Sequence, residues 1–420
     1  MGVSPHPGRP STPQFRWVAA VGALAVAVGA ASAALVRQLA PTPAGAEATR
    51  NVVAAKSTLS VMTALPAWRA IGAPVVVRGH SGANMRLTLR ANGKPVAVSV
   101  SAPDGGYALR FAAARAGRYR LAVQSDERVQ HVGTLTVRPL VIEAVGDITF
   151  GEQVGTAIAQ YGGAYPWTYV ARTLHTADIT IGNLETSVSR RGSPAAHKQY
   201  RFRGDPDAVK PLATVAGFDV LTLANNHTVD YGRDALLDTV DSVRAAGIQP
   251  IGAGADDRRA RRPAIVEAGG LRVAFLGYSD VNPLGFPAGA ETPGTARADA
   301  AAIAVDVRSA LRRSDIAVCY FHWGTELHAA PDARQQTFAD DCLKAGAKVV
   351  LGAHPHVLGP VTTPSPSTLV AWSLGNFVFP SSSITAATAI LRVQLERSGV
   401  HAYQLLPVRI DGFRPRLIAP

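Results

Sequence analysis

The sequence predicts an exported protein of mixed α/β class: one apolar membrane helix, a small all-β module, and a larger domain in which strands and helices alternate. Three observations carry this prediction. The run from Trp17 to Val36 has no charge, short period-two runs fill the stretch from Ser57 to Arg138, and from about residue 139 strand-like and helix-like runs alternate. The composition agrees. With 420 residues, 47% hydrophobic and 17% charged, the chain has room for two or three domains and is too apolar to be disordered. Its 39 Gly, 29 Pro and two Cys exclude a collagen-like chain and a disulfide-stapled miniature scaffold.

The apolar run lies between Arg16 and Arg37, with Arg9 ahead of it and no acidic residue in the leader. A helix over 17–36 is long enough to cross a bilayer. The positive-inside rule then keeps residues 1–16 in the cytoplasm and makes a single-pass membrane protein with extracytoplasmic domains. Cleavage is the alternative: Ala31-Ser32-Ala33 and Ala44-Gly45-Ala46 both fit a signal-peptidase site, and the product is then secreted. Residues 37–56, small and polar with two Pro, read as a linker.

Residues 57–138 carry about seven short alternating runs, among them Leu87-Thr88-Leu89-Arg90 and Tyr119-Arg120-Leu121-Ala122-Val123. Asn92-Gly93 and Asp104-Gly105-Gly106 read as hairpin turns. This density of strands suggests an immunoglobulin-like sandwich without the Cys pair of antibody domains, acting as a spacer or glycan-proximal module. No catalytic constellation occurs in it.

In residues 139–420, strands at 141–145, 179–181, 220–223, 273–276, 316–321 and 348–351 alternate with helices near 166–174, 206–216, 234–246, 298–311 and 333–345. Such βαβ succession predicts a parallel or mixed sheet with ligands at the strand ends. The strand ends are where polar residues gather: Gly146-Asp147, Gly182-Asn183-Leu184-Glu185, Asn225-Asn226-His227, His322-Trp323-Gly324-Thr325-Glu326, Gly352-Ala353-His354-Pro355-His356 and Gly375-Asn376-Phe377. Converging oxygen and imidazole donors suit Mn, Fe or Zn better than Mg or Ca. His354-x-His356 puts two imidazoles on one side of an extended segment. Helix capping by Asp147, Glu185 and Asn226 is the competing account, and it leaves three His and a Glu at the same edge unexplained. In Tyr200-Arg201-Phe202-Arg203-Gly204-Asp205, Arg201 or Arg203 can bind an anionic group, or the segment is an edge strand with exposed arginines. Cys319 lies in an apolar run, so a disulfide with Cys342 and two buried thiols both fit.

The formal charge is +12, yet only six of the 42 basic residues are Lys. The densest cluster, Arg258, Arg259, Arg261 and Arg262, follows Asp256-Asp257, precedes Pro263 and has no interleaved aromatic for base stacking. It reads as a solvated loop, and nucleic acid is not an expected partner. A basic surface does concentrate anionic polymers or phosphates at low salt.

Taken together, Ala144-Val-Gly-Asp147, Gly182-Asn-Leu-Glu185, Phe202-Arg-Gly-Asp205, Phe218 through Asn225-Asn-His227 with Asp230-Tyr-Gly232, His322-Trp-Gly324, Gly352-Ala-His-Pro-His356 and Ser373-Leu-Gly-Asn-Phe377 resemble the CapA-type poly-γ-glutamate capsule biosynthesis family. The likeness runs in order from about residue 140 to 380 and leaves the β module outside it. That family resembles the calcineurin-like metallophosphoesterases, which implies a four-layer α/β/β/α sandwich with one or two divalent ions on its loops. By motif the resemblance implies Asp147, Glu185, Asn226, His322, His354 and His356 as metal ligands, His227 as general acid and Glu326 as a nearby ligand or base. It further implies an anionic cell-surface polymer or phosphoester as substrate, through a hydrolase or transferase step. A second implied role is that of a non-catalytic polymer-binding subunit of a membrane-bound synthase. Two departures stand out. The phosphoesterase pattern opens Asp-x-His, whereas Asp147 is followed by Ile148 and Thr149, and Glu185 stands where Asp is usual. No phosphate-binding Gly-x-x-x-x-Gly-Lys-Ser/Thr loop is present, so ATP chemistry belongs to another chain.

Overall fold

The computed structural model describes residues 58–126 and 128–418. The leader 1–16, the apolar segment 17–36 and the linker 37–56 lie outside the described residues. Among the described residues no helix is long and apolar enough to cross a membrane.

Two facing sheets come first. One has three strands (Ser60–Val61, Val75–His80, Gly106–Phe111), the other five (Trp68–Ala70, Val129–Arg138, Gly117–Gln124, Arg86–Ala91, Lys94–Val100). Every second residue points inward, so Val75, Val77, Leu87, Leu89, Leu121 and Val123 form the core between them. Asn92-Gly93 makes the expected two-residue turn, with φ of 48° and 80° and Ala91 paired to Lys94. Asp104-Gly105-Gly106 is not a hairpin turn. It carries the chain from Lys94–Val100 in one sheet to Gly106–Phe111 in the other, with Asp104 accepting from the Gly106 amide at 2.9 Å.

The following residues adopt a mixed α/β fold. A first sheet runs Gln249–Ile251, Val220–Thr222, Ile179–Leu184, Leu140–Ile148, Ala387–Glu396, Gly399–Asp411, Arg414–Leu417, with Asn376–Val378 also on Leu140–Ile148. Its first four strands are parallel, while the last three form an antiparallel meander that strand–helix alternation does not anticipate. The second sheet runs Ala264–Ala268, Leu271–Ser279, Ile316–His322, Val349–Ala353, Thr368–Ala371, Val361–Ser365, parallel at its centre. The sheets face each other across one core containing Ile142, Ile181, Phe275, Val318 and Leu351. Helices Glu152–Tyr161 and Arg233–Ala245 cover the outer face of the first sheet, and Ala300–Leu311 and Ala333–Ala345 that of the second. The order of layers is helix, sheet, sheet, helix.

Burial on both faces explains the continuous apolar runs of the central strands. All seven residues of Ile316–His322 are buried, and a fully buried large apolar side chain contributes about 1.5–3 kcal/mol. The helix expected over 206–216 is broken into a 3-10 turn, Pro206–Ala208, and a short helix, Lys210–Thr214. Pro211 lacks the amide that would bond back one turn. The helix expected over 166–174 is likewise a 3-10 turn at Tyr165–Trp167 and four helical residues at Ala171–Leu174. Cys319 and Cys342, on a strand and a helix of the second sheet's outer layer, form a disulfide.

Candidate metal centre

The parallel strands of both sheets end at one edge, and most of them run further than the sequence suggests. Leu140–Ile148 runs past Gly146, so Asp147 is a strand residue. The register slips beside it: Ile181 pairs with Ala144, but Asn183 pairs with Asp147. Gly146 permits this, since a Cβ there would lie 1.8 Å from the Gly375 carbonyl oxygen. Asn183 then donates to Asp147 Oδ1 (2.7 Å) and to His322 Nδ1 (3.1 Å) from the neighbouring sheet. His322 closes its strand, fully buried, with Nε2 donating to Asn226 Oδ1 at 2.8 Å and lying 3.3 Å from Glu185 Oε1. Burial pushes the His322 imidazole down to about 3, so it is neutral with Nδ1 an acceptor.

Glu185 follows its strand directly, fully buried, and neither carboxylate oxygen has a hydrogen-bond partner. Burial first, and the charge of Asp147 second, push it up to about 8. His354 is similar: its Nδ1 is buried without a partner, and burial holds its basicity well below the ordinary value. Its amide donates to Asp147 Oδ2 at 3.2 Å. His356 Nδ1 lies 2.8 Å from Asn376 Oδ1 and 3.4 Å from Asp147 Oδ2. Burial lowers the basicity of His356, but the hydrogen bond to Asp147 and the charges of Glu185 and Asp147 outweigh it and raise the group to about 10.

The segment bearing the two histidines is not extended, contrary to the sequence expectation. Its strand ends at Ala353, and His354 and His356 have φ of 96° and 59°. The turn, not period-two alternation, brings their rings to 5.9 Å between centroids. Backbone held in this sparse region is a feature of functional sites. Single donor atoms from Glu185, His322 and His354 lie within 4.8 Å of one another, as do those of Asp147, Glu185 and His356, and those of Glu326, His354 and His356. Glu326 itself is exposed at the rim. Helix capping does not account for these residues: the helices at Glu152 and Arg233 are capped by Gly151 and Gly232, without a side-chain bond.

His227 is placed beside the cluster. Its Nδ1 lies 2.6 Å from Asp230 Oδ2, its Nε2 lies 3.8 Å from Glu185 Oε1, and its ring stacks on Phe202 at 4.1 Å. Asn225 Oδ1 fixes this turn by accepting from the amides of His227 (3.0 Å) and Thr228 (2.9 Å). Sequence reasoning assigned no role to Asn183, Asn225, Asp230 and Asn376, which stand in its motifs, and did not name Lys198. Lys198 Nζ donates to the Asn226 carbonyl and to Asp230, and lies 3.0 Å from His227 Nδ1. Burial pushes this amine down, against the pull of Asp230. Asn183, Asn225 and Asn376 carry a strand-end signal and Asp230 lies three positions after His227 in one turn, whereas Lys198 carries no local signal.

The two arginine candidates part company. Arg201 is exposed, with one long contact of 3.4 Å to the Ala195 carbonyl. Arg203 is already partnered within the fold. Its guanidinium lies over the Tyr231 ring at 3.7 Å and donates to the Arg191 and Gly192 carbonyls at 2.8 Å each.

The donor set fits a cation. Buried carboxylate oxygens and an imidazole nitrogen without partners are costly unless a counter-charge satisfies them, and three such atoms, on Glu185 and His354, face one cluster. Mixed O/N donors of this kind suit a transition ion.

Comparison with known proteins agrees with the sequence motifs. Residues 141–381 match the family described as Bacterial capsule synthesis protein PGA_cap. The PGA biosynthesis protein CapA of Bacillus subtilis (strain 168) is 32% identical over 64% of this chain and 72% of its own length. The Capsule biosynthesis protein CapA of Bacillus anthracis is 30% identical over 70% of this chain and 73% of its own. Among solved structures, the 5'-nucleotidase precursor from Thermus thermophilus aligns with a TM-score of 0.41 at 16% identity, over 67% of this chain and 54% of that one. With the family match covering more than half of its length, the chain belongs to the bacterial capsule synthesis protein PGA_cap family.

Proposed function

We propose that the protein acts in the biosynthesis of a poly-γ-glutamate capsule or similar anionic cell-surface polymer, through a metal-dependent hydrolase or transferase site. The unpartnered buried oxygens of Glu185 and the unpartnered Nδ1 of His354 are the observation that carries this reading. Asp147, Glu185, Asn226, His322, His354 and His356 would hold one or two ions of Mn, Fe or Zn, with Glu326 at the rim. A divalent ion held there supplies Lewis-acid polarisation and neutralises charge on a phosphoryl or acyl oxygen. His227 keeps its Nδ1 on Asp230 and turns Nε2 to the cluster, where a proton at Nε2 can pass to a leaving oxygen. Exposed Arg201 is suited to a carboxylate of the polymer. The names of the two Bacillus relatives support the pathway, and the uncharged run 17–36 supports a membrane anchor with the site outside. The layer order supports a metallophosphoesterase-like sandwich, and the paired β sheets before it support an immunoglobulin-like module.

A second reading, a polymer-binding synthase subunit without turnover, has one observation in its favour. Ile148 stands where the phosphoesterase pattern has a residue between Asp and an imidazole, its side chain is fully buried, and the next residue is Thr149. The test is metal analysis of the purified chain by mass spectrometry, with turnover of a phosphodiester and of poly-γ-glutamate, beside an Asp147→Ala, His354→Ala double variant. Metal near one equivalent and turnover, both lost in the variant, are expected. Metal-free protein with no turnover after reconstitution would refute the hydrolase, and polymer binding without turnover would select the second reading.

A further inference from the structure

We infer that an arginine-lined cleft on the shared edge of the two sheets is a second site, which holds an extended polycarboxylate chain away from the metal cluster. The two edge strands Gln249–Ile251 and Ala264–Ala268 lie on the same side of the molecule. The smaller of two adjoining hollows, about 520 Å³, is lined by residues of both strands, and the larger, about 920 Å³, lies between the short helix Asp257–Ala260 and the helix Ala300–Leu311; both are lined by Arg259, Arg262 and Arg313. Arg258 joins them in the larger and Arg244 in the smaller. Gln249 and Pro250 begin their strand and Arg313 precedes Ile316–His322, so the smaller hollow and the Arg313 end of the larger lie towards the strand starts, whereas the metal cluster sits at the strand ends.

Charge separates this cleft from an ordinary solvated loop. Two of its three acids are already engaged. Asp256 caps the short helix Asp257–Ala260 and pairs with the Arg259 side chain, while Asp306 takes Arg261 at 3.1 Å and the Tyr278 hydroxyl at 3.0 Å. Asp257 reaches only Arg261, at 4.0 Å. Arg258, Arg262 and Arg313 are exposed and form no ion pair among the described residues. Guanidinium forks match carboxylates in two-point geometry. No aromatic or histidine lines either hollow, so bases have nothing to stack on. A polymer with one carboxylate per repeat meets this row of cations, and the cleft would retain the chain while a distant segment reaches the metal cluster. Only the identity of the polymer rests on the function proposed above.

The experiment uses the full chain and fluorescein-labelled poly-γ-glutamate, with anisotropy titrations at about 50 and 200 mM salt. The triple variant Arg258→Ser, Arg262→Ser, Arg313→Ser should bind about tenfold more weakly at the lower salt, since each exposed pair contributes a small factor. Its salt dependence should also be shallower. The control Arg86→Ser, Arg110→Ser, Arg118→Ser removes the same charge from exposed positions of the β module and should bind as wild type. Arg313→Glu alone, on a separate element, repeats the test independently. Equal loss in both triple variants would overturn the site in favour of diffuse charge. Unchanged binding in the cleft variants would overturn it too, and would leave these arginines as guards that keep the two edge strands from pairing with other chains. Equal affinity for single-stranded DNA would overturn the carboxylate assignment. Metal content in the same samples separates failure here from failure of the metal centre.

Discussion

Replacing Glu185 by Gln should stabilise the metal-free protein while weakening its response to metal. Glu185 is fully buried with no partner for either oxygen, and its folded-state value of about 8 stands against an ordinary value of 4.5. The sign follows from which state holds the proton. Below pH 4.5 the group is protonated in both states and has no effect. Between 4.5 and 8 the unfolded chain ionises and the folded one does not, so metal-free wild type loses stability as pH rises, and above 8 the cost is constant. At pH 7 the difference amounts to about 3 kcal/mol, and at pH 5 to less than about 1 kcal/mol. A buried amide in its place costs about 1 kcal/mol or more. The net gain in Glu185→Gln is therefore about 2 kcal/mol at pH 7, larger at pH 8 and absent at pH 5. Metal acts the other way: an ion at about a hundred times its Kd adds about 2.7 kcal/mol to wild type, and the variant should recover little of it. Thermal unfolding in chelator and in excess Mn or Zn, at about pH 5 and pH 8, reads all four cases. A variant less stable than wild type in chelator at the higher pH would refute the assignment of Glu185 as an uncompensated carboxylate.

Three further outcomes are expected. Because Glu185 and His356 both sit above their ordinary values and must give up protons to ligate, metal uptake at about pH 7 should release protons, seen as a calorimetric heat that changes with the buffer's ionisation enthalpy; a buffer-independent heat would contradict this. Arg392→Met should cost about 3–5 kcal/mol, since it strands the fully buried Glu143 on the strand that carries Asp147, and adding Glu143→Leu should recover most of the loss in denaturant melts. Arg203→Ala should lower stability by about 1–3 kcal/mol through its carbonyl contacts and leave polymer affinity unchanged, whereas Arg201→Ala should do the reverse.

The legible part of this fold is the part built from local repeats. Period-two runs mark the sandwich, and both-face burial makes Ile316–His322 and Val349–Ala353 readable as central strands. Donors immediately after such runs, Glu185, His322 and His354, are readable for the same reason. What escapes is whatever depends on partners far apart in sequence. Lys198 sits in the polar stretch between Ala195 and Tyr200 and looks like any surface lysine until Asp230 and the Asn226 carbonyl are brought to it. Asn183 looks like a turn residue, and only the register slip at Gly146 sets it between Asp147 and His322. Arg203 is a further case, since nothing local announces that Tyr231 and two carbonyls will engage it.

The junction between the two modules has a mechanical meaning. Only Pro139 separates Val129–Arg138 from Leu140–Ile148, the strand that holds Asp147. Arg138 lies over Trp68 at 3.7 Å and bonds both Asp178 oxygens at 2.6 Å, and the Ala70 amide donates to the Gly269 carbonyl at 2.8 Å. Ala70 and Ala73 even contribute to the core between the large sheets. Contacts of this kind oppose a swing of the sandwich. It packs as a fixed support, so a cut at residue 139 would remove packing from the neighbouring domain instead of freeing it, and inserting residues at Pro139 would misalign the candidate metal centre without touching any of its side chains.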